Sequence, residues 1–362
     1  MGEGKEIRSA VGVVLRDPVL VGGTVASVAL FLAILLLPVF GVIVSLLTPL
    51  PLFYFYYTRG RPTGLVMIAL ATAIISIIMY VGFSLAGTTL FIGYGLLAAV
   101  MAESFGRRFS PEKIVGYPSA ALLGFGLIIL TLVSFSDGQN PWFYGQKMIK
   151  EHIQVTFKLY QEFTHETQQR PVFSEQESED ESGTAERPSG SAPADQGRGI
   201  GLSNAELPGL EQLTSVFVLI FPGLIIMGAL LVSWFNFMVG RILLTRNESL
   251  PGYLADLKKW KVQENLIWFV IGCGLFSILP FSFLRGLGIN GLMVLSLIYF
   301  FAGLCVVAYW FDAKTVPYFL RALTYTLIAL QQYLGLIVVG LGLFDLWLDF
   351  RKLKKVDAGL QP

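Results

Sequence analysis

Apolar stretches long enough to cross a bilayer recur from Val19 to Leu346, separated by short charged loops and one long acidic insert. About 20 apolar residues rising 1.5 Å each match a hydrocarbon core of about 30 Å. Such stretches can satisfy their backbone groups in lipid only as helices or as a closed barrel. Their length here selects helices. The pattern predicts an all-α, polytopic membrane helix bundle. Composition supports it: 14% of residues are charged and 54% hydrophobic, against about 25% charged in soluble domains. A soluble core could not hide that much apolar surface, whereas a bundle can leave it facing lipid.

Nine candidate spans follow: Val19–Pro38, Val39–Tyr57, Gly64–Val81, Thr89–Ala102, Val115–Ser134, Leu213–Gly240, Leu266–Leu284, Gly291–Phe311 and Leu320–Phe344. The count drops to eight if one is misassigned, and residues 19–57 could be one broken span or two. Only Pro38 and Gly41 separate the first two stretches, and Thr48-Pro-Leu-Pro-Leu52 interrupts the second. A break at membrane depth requires neighbouring protein to satisfy the freed backbone groups. This stretch is therefore expected inside the bundle.

The domain plan is a cytoplasmic N-terminus (1–18), five spans (19–135), an extracytoplasmic insert (136–210), four spans (211–346) and a basic tail (347–362). Lys5, Arg8 and Arg16, then Arg59 and Arg61, then Arg107, Arg108 and Lys113, then Arg241, Arg246, Lys258, Lys259 and Lys261 all fall on one side. The positive-inside rule makes that side cytoplasmic. Arg351, Lys352, Lys354 and Lys355 disagree, because nine spans would put them outside. Trp347 and this basic cluster suit the headgroup zone.

Within the insert, Ile149, Ile153, Phe157, Tyr160 and Phe163 recur at helical spacing, predicting an amphipathic helix over 142–164. Ser174–Gly199 carries seven acidic residues and no aromatic one, the composition of a solvated, disordered linker.

No phosphate loop, metal-ligand pair or nucleophile motif is present, so the sequence reads as non-enzymatic and calls for no cofactor, metal or nucleic acid. Cys273 and Cys305 lie in apolar runs and read as core residues. His152 and His165 are thirteen residues apart in the insert and read as surface residues. The candidate buried polar or pathway residues are Asn236, Asn290, Gln331, Gln332, Glu103 and Asp345, with Asp312 a further charge at a span end. Burying such groups in lipid is costly, so they are expected to face protein. Their ordinary role is interhelical hydrogen bonding, worth about 0.6 kcal/mol on average, with ligand contact as the alternative.

Several segments resemble the YybS-like family of bacterial multi-pass membrane proteins. They are Asn236 before a basic turn, the Leu257-Lys-Lys-Trp-Lys261 loop, Gly288-Ile-Asn-Gly-Leu292, Tyr299–Leu304, Gly342–Arg351 and the Leu47–Gly64 stretch with its Pro-Leu-Pro. The first six spans are more distantly similar to the substrate-binding components of vitamin transporters and to MreD. The resemblance implies a fold more than a function. Two functions are carried forward. One is small-solute binding or transport, through an outward cavity among the first six spans. The other is an envelope scaffold that binds protein partners. Membrane lipid is a partner in either.

Overall fold

The computed structural model describes residues 11–37, 40–82, 85–168, 208–246, 254 and 257–351. The fold is all-helical. Two compact units divide the chain: 137–219, and the remainder.

In the larger unit, α1 (Pro18–Leu36) starts on the Asp17 side chain, which accepts from Val19 N at 2.9 Å, with Pro18 in the first turn where its missing N–H costs nothing. There follow α2 (Phe40–Ser45), α3 (Pro49–Arg59), α4 (Arg61–Gly82), α5 (Leu85–Gly106) and α6 (Pro111–Ser136). Residues 40–59 form a span of their own, so 19–57 is two spans.

The smaller unit holds α7 (Pro141–Gln168), where the sequence predicts its amphipathic helix. Asn140 caps it through Trp142 N at 2.9 Å. The acidic segment Ser174–Gly199 lies outside the described residues.

The chain returns in α8 (Pro208–Arg246), then α9 (Leu266–Ile278), α10 (Ser282–Ala313), α11 (Tyr318–Leu330) and α12 (Gln332–Leu348). Seven described segments are long and apolar enough to span by themselves: α1, α2 with α3, α4, α5, α6, α8 and α10.

The two remaining candidate spans differ from expectation. Leu266–Leu284 is helical only to Ile278, 13 residues. Leu279 is held extended (φ −66°, ψ 146°), as the residue before Pro280 must be. Yet α8 and α10 both end on the same face. Between them the chain must cross, and α9 with its non-helical lead-in at 260–265 makes that crossing. Leu320–Phe344 is not one straight helix: α11 and α12 meet at Gln331 with a bend of 105°.

Polar contacts tie the charged ends together on one face. Arg59 lies 3.7 Å from Asp17, and Arg61 lies 3.9 Å from Glu103. Trp260 Nε1 donates to Glu112 at 3.0 Å. Lys258 pairs with Asp312, which also takes Arg321 at 2.6 Å. Arg351 donates to the carbonyls of Lys258 (2.6 Å) and Trp260 (2.8 Å). Both ends of the bent pair thus meet at Lys258, so the pair enters and leaves by this basic face. Among the described residues this makes eight crossings, an even number, and Arg351 sits on the side of the other basic loops. That removes the conflict the tail posed for nine spans.

The core of the first five spans is aromatic and aliphatic: Phe53, Met67, Ile75, Phe91, Met101 and Phe105 are fully buried, and Phe237 of α8 joins Phe105 at 5.7 Å between ring centroids. A second, smaller cluster packs Val262, Tyr299 and Ala302 against Leu343 and Leu346. There α10 and α12 cross at glycine. A Cβ on Gly303 would overlap the Val338 carbonyl oxygen, and one on Gly342 the Tyr299 carbonyl oxygen. In lipid such backbone proximity supplies the packing that hydrophobicity cannot.

Candidate functional site

Proline chemistry sets the first polar site, the break between α2 and α3. Pro49 and Pro51 have no N–H, so the carbonyls of Ser45 and Leu47 lose their helical donors. Thr48 N takes Ser45 O at 3.0 Å and Leu50 N takes Leu47 O at 3.0 Å. With Leu50 N so diverted, Leu46 O needs another partner. Asn236 Nδ2 of α8 supplies it at 2.7 Å, and Ser27 of α1 donates to Thr48 O at 3.1 Å. Asn236, Ser27 and Thr48 are fully buried. The break is thus satisfied by two neighbouring spans, as membrane depth demands.

Pro222 lies inside α8, which continues through it. Next to it, Gly223 N donates to Asn290 Oδ1 at 2.6 Å, while Asn290 Nδ2 bonds Gly286 O within α10. Ser119 of α6 meets Ser233 at 2.9 Å. These bonds, with the stacked Trp234 and Phe301 rings 4.4 Å apart, make α8 the element joining the first spans to the last.

The second polar site anchors the tail. Arg351 is 1% exposed. Its Nη2 lies 2.6 Å from Asp345 Oδ2, and its Nη1 holds the two loop carbonyls. Beside it Lys261 pairs with Asp349 at 2.6 Å. Three acceptors inside the protein replace water around the Arg351 guanidinium.

The third is an open groove of about 570 Å³ at the basic face, between α3, α4, α5 and α6. Tyr56, Arg61, Glu103, Ser104 and Arg107 line its polar end, and Leu65, Ala99, Val100, Phe109 and Tyr117 its apolar wall. Tyr56 donates to Glu103 Oε1 at 2.9 Å. The α5–α6 turn shapes the mouth. Arg108 N bonds Phe105 O and Phe109 N bonds Ser104 O, the paired bonds of a Schellman cap. Arg108 takes the left-handed position (φ 56°) usually given to glycine. The turn leaves Arg107 and Phe109, its neighbours, in the groove lining.

The sequence-derived residues therefore occupy five separate places: Asn236 at the break, Asn290 at Gly223 beside Pro222, Asp345 at the tail anchor, Glu103 in the groove, and Gln331 with Gln332 at the exposed bend. Among them Glu103 alone lines the groove. The groove opens at the basic face, the opposite end from the outward cavity that solute binding was expected to use.

Residues 25–183 and 199–346 match a protein family described as a predicted membrane protein, DUF2232. The chain belongs to that family. The match runs through all three polar sites except Asp349 and Arg351 and supports the membrane bundle read from both sequence and fold. No curated protein and no solved structure matches the chain. Family membership accordingly carries no activity, and the DUF2232 site has to be judged by its geometry.

Proposed function

We propose that this protein is a YybS-like, non-enzymatic solute-binding component of a bacterial cytoplasmic membrane, with its basic face in the cytoplasm. The observation that carries the reading is the groove between α3, α4, α5 and α6. It combines a charged end with an apolar wall, as binding sites do when a few polar groups orient a largely apolar ligand. Its volume of about 570 Å³ suits a small molecule and is too small for a protein partner. The positive-inside rule supports the orientation, because the groove's arginines lie among the basic loops.

Filling the groove tests the reading. Ala99→Phe places a ring in the lining. Native mass spectrometry of the purified protein is expected to show a small co-purifying species in the wild type that is absent from Ala99→Phe, at unchanged melting temperature. Identical spectra for the two proteins, after incubation with a cell extract of small molecules, would sink solute binding in favour of the scaffold role.

A further inference from the structure

We infer that the groove recognises a phosphate group carried on an apolar body, with Arg61 and Arg107 as its clamp. The inference rests on the solute-binding reading and names the ligand class.

Charge decides the sign of the ligand. Two guanidinium groups line the groove against one carboxylate, Glu103. That carboxylate is already engaged: it accepts from the Tyr56 hydroxyl at 2.9 Å and faces Arg61 at 3.9 Å. The Arg61 contact is long, and the Arg61 side chain is 74% exposed, so its fork of donors is open to a second acceptor. Arg107 makes no ion pair among the described residues. Arg108 and Lys113 stand close by, the latter 6.0 Å over the Phe109 ring, and they add positive potential at the mouth. The surplus favours an anion.

Donor chemistry narrows the anion. Guanidinium forks match the paired oxygens of phosphate. A carboxylate ligand would need one such fork; two forks, one at the start of α4 and one in the α5–α6 turn, suit a group with three or more acceptor oxygens. The Tyr56 and Ser104 hydroxyls at the same end already donate, to Glu103 and to the Val100 carbonyl, so the phosphate contacts fall to the two arginines.

The wall narrows the rest of the ligand. Leu65, Ala99 and Val100 belong to spans α4 and α5, so the apolar side of the groove continues onto membrane-spanning surface. The charged side lies where α4 begins and α5 ends, at headgroup level. Basic pockets between helices at this depth hold anionic lipid heads. A free phosphate ester shares the recognition chemistry but leaves the wall unused.

The test titrates detergent-solubilised protein with three probes: short-chain phosphatidic acid, phosphatidylcholine of the same chain length, and inorganic phosphate. Phosphatidic acid is expected to bind best, weakening roughly tenfold or more in Arg61→Gln and in Arg107→Gln, the effect of one lost charged hydrogen bond. Arg246→Gln, an exposed arginine of the basic face outside the groove, should bind as the wild type does. Inorganic phosphate binding as tightly as phosphatidic acid would uphold phosphate recognition with a soluble source. Equal binding of both lipids, or wild-type binding by the Arg61→Gln/Arg107→Gln double variant, would overturn the inference. A co-purifying solute that Ala99→Phe removes and phosphate fails to displace would end this inference and leave solute binding standing.

Discussion

The pair Asp345–Arg351 shows how a single residue can hold the end of a membrane chain. Both side chains are buried, and the guanidinium is met by a carboxylate and two carbonyls. Removing one partner strands a buried charge. Asp345→Ala and Arg351→Ala are each expected to cost about 3–5 kcal/mol, read as a large fall in detergent melting temperature. Asp345→Leu combined with Arg351→Met should cost clearly less than the sum, because no charge remains unpaired. Additive losses would show that the two do not act as a pair. Asn236 makes the neutral counterpart of this argument. Asn236→Leu leaves Leu46 O without its donor and should destabilise by about 1–3 kcal/mol, whereas Gln332→Leu, at an exposed position of the bend, should not register. Equal melting temperatures for wild type and Asn236→Leu would mean that Leu46 O finds another donor.

Elements in this fold are defined by their interruptions. Pro49 and Pro51 divide α2 from α3, Pro280 ends α9, and Gln331 marks the 105° bend. The sequence announces the first, since proline states its effect locally; at the second, an apolar run that continues to Leu284 hid the break. It does not announce the third, because Gln331 and Gln332 sit in an unbroken apolar run with no breaker. What bends that run is tertiary: Arg321 and Arg351 hold both ends to the Lys258 loop. Gly303 and Gly342 were also visible without being readable, as two glycines among many. Their value comes from the α10–α12 crossing. Gly303→Val and Gly342→Val are expected to abolish correctly folded protein in size-exclusion chromatography, since each side chain would meet backbone. Gly335→Ala and Gly340→Ala, where a Cβ meets nothing within 4 Å, should elute as wild type. Wild-type elution of either valine variant would show that the helices can separate at no great cost.

At the scale of the molecule, the apolar stretches made the membrane bundle plain, because bilayer thickness acts on every span alike. The groove was not plain. Tyr56, Arg61, Arg107 and Tyr117 come from three helices and a turn, and in sequence each passes for an ordinary interfacial residue. Only Glu103 stood out beforehand, as a carboxylate at a span end. The tail shows the same limit in reverse. Counting spans put Arg351 outside, while its hydrogen bonds put it beside Lys258 and Trp260.

The arrangement of every basic loop on one face, with the groove among them, is the claim on which the rest depends. Cysteine labelling measures it most directly. In a background with Cys273 and Cys305 replaced by alanine, single cysteines at Ser110, Lys314, Lys352 and Phe281 are exposed to a membrane-impermeant maleimide in intact bacterial cells. Phe281→Cys, at the start of α10 on the opposite face, should label at once, and the other three only after lysis. Labelling of Lys352→Cys together with Phe281→Cys in intact cells would contradict the account, because the chain would then cross an odd number of times.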